Sequence, residues 1–383
     1  MPPVPKKPLP TTNISKDAPL LKKKPEYGKL RRGLRDVSNV RNTSYEVINT
    51  KVEVACKHGQ KLKEWSNTNC GYGSSKNITS YPWPKPCKDP KLNLILPNSK
   101  KEIIEDIDKR YEGNFFLVKE YAKHIYQYLQ KLEVTFKLCK RPLKNSQISN
   151  EMRTILVDWL VDVHVEYRLL QETIHLAVYI LDKYTQMDHS LNKTTFQLVG
   201  ICSLNIACKY EEMFSPMVED FIWLCKTSFT KKQFLETEQK IMKAINFSLG
   251  RPPSVVFVRR FNMASKANKM QHFYSKYFID LVLIDSLFCD VKPSLVAASA
   301  VYLAMCIVNN RSDPRLWNAT MIHYSSYAYS DIKPIKSMLV RLILASKTTK
   351  HDSVKRKYAN PCFQGVSIKI DAHLELLKRI LLD

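Results

Sequence analysis

The chain has 383 residues, a net charge of +24 at neutral pH, 44% hydrophobic and 25% charged residues, and nine glycines. That length holds two or three domains with a sizeable core, while so few glycines leave little for phosphate-cradling loops. None of G-x-x-x-x-G-K-[ST], G-x-G-x-x-G or H-E-x-x-H occurs, which argues against nucleotide-binding and zinc-protease chemistry. The expectation is a helical protein that is not an enzyme, with no cofactor and no metal.

Residues 1 to about 100 are rich in Pro, Lys, Asn and Ser without helical periodicity and read as a disordered tail, taken to run through residue 112. Through Arg110 there are 23 basic against 11 acidic residues, so half the net charge sits in less than a third of the chain. A basic arm of this kind can meet nucleic acid, anionic lipid or an import receptor, or simply stay solvated. Lys22-Lys23-Lys24 with Arg31-Arg32 is a split basic cluster of the sort importins read, or equally a solvated charge run. The N-terminus lacks the apolar core of a signal peptide and no run is long enough to span a bilayer. An intracellular, reducing setting with no membrane partner is therefore expected. Of ten cysteines, Cys202, Cys208, Cys225 and Cys306 fall in apolar periodic stretches, where a thiol packs as a small hydrophobe. Cys56, His58, Cys70 and Cys87 match no common zinc spacing.

Helical periodicity begins near Asn114, with Phe116, Tyr121, Ile125, Tyr128 and Leu132 recurring at roughly helical spacing. Ser149 or Asn150 offers the N-cap of the next helix. There Met152, Ile155, Leu156, Trp159, Leu160 and Val163 share one face and Val157, Val161 and Val165 form a second stripe. Apolar around most of its girth, this helix is expected to sit centrally. Further helices are predicted over about 171–186, 193–211, 216–226 and 230–247, with Ser215-Pro216 as N-cap and N1 of the third. Gly250-Arg251-Pro252-Pro253 reads as a linker. Gly200, Ser203 and Ala207 place small residues on one helix face, and Ala297, Ala300 and Ala304 repeat that spacing 97 residues later. Such stripes let helices approach closely, and the offset predicts two similar helical bundles, over 113–250 and 251–383. Four charges, Arg153, Asp182, Lys209 and Glu238, interrupt apolar helices; the plainest reading of each is a solvated edge charge.

The wording from Met152 to Leu160, Met-Arg-x-Ile-Leu-Val-Asp-Trp-Leu, closely resembles the opening of the cyclin box in A- and B-type cyclins, with Thr154 where those families usually carry Ala. Glu120 to Leu129, Arg251-Pro252 followed by Phe257 and Arg259-Arg260, and Ser353 to Ala359 resemble B-type cyclins. The resemblance covers about residues 113–370. In the tail, Arg31-x-x-Leu34-x-x-Val37-x-Asn39 resembles the destruction box of mitotic cyclins.

The resemblance implies an all-α chain with two tandem five-helix cyclin folds, a preceding helix and a basic tail. It also implies a non-catalytic activator of a mitotic-type cyclin-dependent Ser/Thr protein kinase, driving the G2/M transition. By it, Arg153 and Asp182 form an internal ion pair and Leu198 is a core leucine. Lys209 and Glu238 bind backbone groups of the kinase's mobile helix, Tyr210, Phe247 and Leu249 line the same face, and Tyr121, Ile125 and Tyr128 extend it. Met152, Leu156 and Trp159, with Ile155 beneath, match a hydrophobic patch that docks Arg-x-Leu substrates. Asp162 and Gln197 match its polar rim, Asp162 being shorter than the Glu often found there. Arg31, Leu34, Val37 and Asn39 would be read by a ubiquitin ligase of the anaphase-promoting type, with Lys51, Lys57, Lys61 and Lys63 as acceptors. Residence in nucleus and cytoplasm by shuttling is expected, with Leu92, Leu94 and Leu96 as an export signal or a sticky loop. No sequence-specific nucleic-acid partner is expected. A transcription initiation factor with two cyclin folds is the competing reading, though the zinc ribbon usual there is missing; a helical scaffold is a third. Salt-dependent DNA binding and kinase co-purification separate the three.

Overall fold

α1 (Lys119–Thr135) carries two apolar edges: Tyr121, Ile125 and Tyr128 face outward, while Tyr126 and Leu129 pack against the core. It belongs to a computed structural model that describes residues 104–109, 112–113, 119–139, 147–225 and 229–382. The motif at residues 31–39, the acceptor lysines, Phe116 and the cysteines at 56, 70 and 87 lie outside these.

Five helices follow: α2 (Asn150–Glu166), α3 (Gln171–Met187), α4 (Lys193–Glu211), α5 (Val218–Leu224) and α6 (Lys231–Ala244). The sequence starts them with oxygens for their free N–H groups. Ser149 Oγ accepts from Met152 N at 3.1 Å, Asn192 Oδ1 accepts from Thr195 N at 3.0 Å, and Thr230 and Gln233 form a reciprocal capping box. α5 starts two residues later than Ser215-Pro216 predicts, because the Asp220 carboxylate accepts from Met217 N at 3.1 Å and makes Met217 the cap. α6 ends at Ala244, three residues short of the expected end, where Asn246 and Phe247 take left-handed φ values of 51° and 54° and turn the chain.

After the linker the same order recurs: α7 (Ser254–Ala264), α8 (Lys269–Ile284), α9 (Pro293–Val308), α10 (Ala319–Ser325) and α11 (Tyr329–Ala345), the fourth helix being seven residues long in both sets. Gly200, Ser203 and Ala207 lie on α4, and Ala297, Ala300 and Ala304 on α9, all buried. Each stripe lets its helix be surrounded: α4 packs on α3, α6 and α2, and α9 on α8, α7 and α11. These two helices are the centres of their bundles. α2 is not central as its girth of apolar residues suggested. It lies at the junction of the two bundles, packing on α4 on one side and on α8 and the C-terminal segment on the other, with Ile155 and Val165 exposed. Three further helices, α12 (Ser353–Ala359), α13 (Val366–Lys369) and α14 (Leu374–Leu382), close the chain.

Charge as well as apolar area joins the bundles. Arg153 on α2 donates to Asp182 on α3 through Nε (2.7 Å) and Nη2 (2.8 Å), and its Nη1 reaches the α8 carbonyls of Leu283 (3.0 Å) and Ile284 (3.2 Å). Cys289 Sγ donates to the same Asp182 at 3.4 Å. Burial opposes the Arg153 charge, but the Asp182 carboxylate more than offsets this, so the guanidinium holds its proton more tightly than usual. A second buried carboxylate, Asp280 on α8, gathers His175 (3.0 Å), Gln171, Lys357 (2.6 Å) and Tyr358 (2.9 Å). Burial pushes its pKa up; Lys357 and His175 outweigh that and hold it well below the usual carboxylate range. Lys357 and Tyr358 belong to α12, whose Ser353 also donates to Asp158 of α2 through N (3.0 Å) and Oγ. The short α12 thus staples the first bundle to the second. α1 leans on the second bundle: its buried Glu133 accepts from Ser294 N (3.0 Å) and Oγ (2.6 Å) at the start of α9. Asp108, before α1, chelates Arg260 of α7.

Candidate functional site

Lys209 stands in the last turn of α4, where the helix leaves the core, after an unbroken buried run from Leu198 to Cys208. Its Nζ donates to Glu238 Oε1 of α6, with side chains 47% and 15% exposed. An ammonium has three N–H donors and an ionised carboxylate accepts several hydrogen bonds. The half-exposed ammonium keeps spare donors, and the partly covered carboxylate keeps acceptor capacity, for backbone groups of another chain. Tyr210 follows on α4, exposed, and Phe247 stands 67% exposed on its left-handed turn. Bulky residues are rare at positive φ, and backbone strain of this kind gathers at functional sites. Leu249 lies half-buried against the core below. The structure therefore sets Lys209, Glu238 and Tyr210 together at one helix end, with Phe247 just beyond the end of α6.

Tyr121, Ile125 and Tyr128 make an exposed stripe along α1. Among the described residues, no hydrogen bond, ion pair or ring contact joins that stripe to the Lys209 group. Sequence reasoning missed Met213, Met217 and Trp223, large apolar side chains left exposed beside Lys209 in sequence, between the end of α4 and the end of α5. Their signal was apolar bulk in a segment too short to bury it.

A second surface runs along α2. Met152, Ile155, Trp159 and Asp162 recur three and four residues apart on one face. The expected order of the patch is corrected here: Ile155 is 51% exposed, and Leu156, 6% exposed, lies beneath. Leu156 is held down by α4, since a Cβ built on Gly200 would come within 2.8 Å of Leu156 Cδ2. Gln197 is exposed on α4 one turn before Gly200, the residue that packs on Leu156. Asp162 is already engaged: Arg356 Nη2 of α12 donates to its Oδ2 at 3.0 Å. Sequence reasoning missed Arg356, because a partner 194 residues away leaves no spacing signature.

Among the described residues no group of three or more His, Cys, Asp or Glu side chains is placed to hold a metal, and no helix is long and apolar enough to cross a membrane.

Two bundles repeating one order of five helices, each wound about a small-residue helix, define a class that the family comparisons identify. Residues 124–250 match the model of the cyclin N-terminal domain and residues 252–372 that of the cyclin C-terminal domain. The chain belongs to the cyclin family. It is 33% identical to a G2/mitotic-specific cyclin-B from Marthasterias glacialis over 88% of both chains. It is 37% identical to one from Arbacia punctulata, over 72% of this chain and 68% of that one. A third, from Patella vulgata, is 36% identical, over 69% of this chain and 64% of that protein.

Proposed function

We propose that this chain is the regulatory subunit of a mitotic-type cyclin-dependent kinase and activates it at the G2/M transition without catalysing a reaction itself. The observation that carries the reading is the open Lys209–Glu238 pair, set beside exposed Tyr210 where a buried helix surfaces. Its spare donors and acceptors suit the backbone of a mobile kinase helix. Packing against that helix holds it inward, so that the kinase's own Lys–Glu pair and its activation segment are set for phosphoryl transfer to Ser and Thr. Phe247, Leu249 and the α1 stripe of Tyr121, Ile125 and Tyr128 supply apolar area for the same partner.

In this reading the α2 patch docks substrates bearing Arg-x-Leu, with Met152, Ile155 and Trp159 at the surface and Leu156 as its floor. The motif Arg31, Leu34, Val37 and Asn39 delivers the chain to a ubiquitin ligase of the anaphase-promoting type, and the protein moves between nucleus and cytoplasm. The test is kinase co-purification and activation by the full chain carrying Lys209→Ala and Glu238→Ala. We expect the complex to weaken by about thirtyfold or more, since truncating hydrogen-bonded charges at an interface costs about 2–5 kcal/mol. Full activation by a folded double variant defeats the reading.

A further inference from the structure

We propose that Arg356 is a built-in competitor at the acidic end of the α2 patch, so that this chain selects docking peptides by their apolar anchors and discounts an arginine. The inference rests on the docking reading above and names the regulation of that same site.

Asp162 is the carboxylate next in line after Met152, Ile155 and Trp159 on the exposed face of α2. It is the group that a peptide arginine, set ahead of its apolar anchor, would seek. Its Oδ2 already accepts from Arg356 Nη2 at 3.0 Å. Arg356 in turn is braced from its own helix start by Asp352, which accepts from its Nε at 2.8 Å. The rest of α12 is fixed independently, through Ser353 on Asp158 and through Lys357 and Tyr358 on Asp280. Arg356 is therefore delivered to Asp162 by an anchored helix and needs little further ordering to occupy it. A guanidinium arriving on a peptide meets a like charge and an acceptor already in use. Arg356 and Asp162 are 57% and 43% exposed, so water screens the contact. Competition of this kind shifts affinity by a few-fold and does not block the patch. A peptide with alanine in place of arginine makes no claim on Asp162 and is indifferent to Arg356.

The experiment uses the full chain and two fluorescent peptides of equal length, one with Arg-x-Leu and one with Ala-x-Leu, read by anisotropy. Arg356→Ala should tighten the Arg-x-Leu peptide about two- to fivefold and leave the Ala-x-Leu peptide unchanged. Arg356→Gln, which keeps most of the stem, should do the same, and Asp162→Asn should abolish the difference between peptides. An unchanged melting temperature shows that α12 stays docked. An equal gain for both peptides, or no gain, overturns the inference. If Met152→Ala with Trp159→Ala abolishes binding while Arg356→Ala changes nothing, the inference fails alone and the docking reading stands. If neither peptide binds any of these chains, both fail together.

Discussion

The junction of the two bundles and the face around Lys209 each hold a basic and an acidic side chain bonded across two helices, and the pairs differ in almost everything else. Arg153 and Asp182 are 2% and 3% exposed, and the guanidinium also spends donors on two carbonyls of the opposite bundle. Lys209 and Glu238 meet at the rim, their side chains 47% and 15% exposed, so the ammonium's spare donors face out. A desolvated pair fixes the relative position of what it joins, because neither partner survives alone in the interior. A solvated pair contributes little to folding and remains available to something else. A cation paired with a carboxylate thus holds the architecture in one place and waits for a partner in the other.

The largest test of that contrast removes one charge from each kind of site. Asp182→Ala or Asp280→Ala should destabilise the protein by about 3–5 kcal/mol, read by urea denaturation, because a buried cation is left without its carboxylate. Lys209→Ala should cost under about 1 kcal/mol in the same assay, yet abolish kinase activation. Comparable stability losses at the two sites would erase the distinction.

A smaller effect is expected where packing, not charge, supports a surface. Gly200→Ala brings a methyl group against Leu156. The contact is with the far end of a flexible side chain, so Leu156 can turn aside at a cost of about 1 kcal/mol, which the helix preference for Ala over Gly largely offsets. The substitution should also lift Leu156 and weaken peptide docking on α2, while kinase binding at the far end of α4 is retained.

A graded effect, set by how far the pH is lowered, is a dependence on acidity. Burial, then the charges of Lys276 and Arg259, lower the His272 pKa to about 4, and its Nδ1 lies 3.3 Å from Asn262 Nδ2, as suits a neutral ring accepting a hydrogen bond. His164, beneath Lys357, is likewise held well below its ordinary value by burial and then by that charge. The unfolded chain takes up protons on both below about pH 6.5. The folded chain does so on His272 only near pH 4. Stability should therefore fall between pH 6.5 and 4, by at most about 1.4 kcal/mol per unit for each ring. His272→Gln should flatten this slope, as read by melting temperature at pH 7 and pH 5. Asp280 acts in another window: its folded pKa is depressed, so its contribution is fully present above about pH 4 and is lost only in stronger acid.

Much of the architecture was legible because it is written in short-range patterns. The small-residue stripes of α4 and α9, the Gly-Pro linker and the Ser149 cap each depend on residues within a few positions of one another. Ile155 and Leu156 show where such patterns stop. Both are aliphatic and adjacent, about 100° apart on the helix, and only the position of Gly200 on another helix decides which one is floor and which is surface. The Asp280 cluster was invisible for a similar reason. Its donors come from positions 171, 175, 357 and 358, and each alone reads as an ordinary polar residue on a helix. Arg153, Asp182, Lys209 and Glu238 stand out as charges in apolar helices, and the resemblance gives them roles; periodicity alone gives all four the same fate, whereas the fold buries the first two, opens Lys209 and leaves Glu238 partly covered.

Cys289 turns the bundle junction into something that can be timed. Burial, and then the adjacent Asp182, push its thiol pKa up, so the nucleophilic thiolate is scarce while the bundles are closed. An alkylating reagent in solution reaches it only during openings that part α3 from the segment after α8. Its labelling half-life is a stopwatch on that separation, run from within a single side chain and without any denaturant. Slower labelling in the kinase complex than in the free chain would show that a partner seated on the first bundle also steadies its hold on the second.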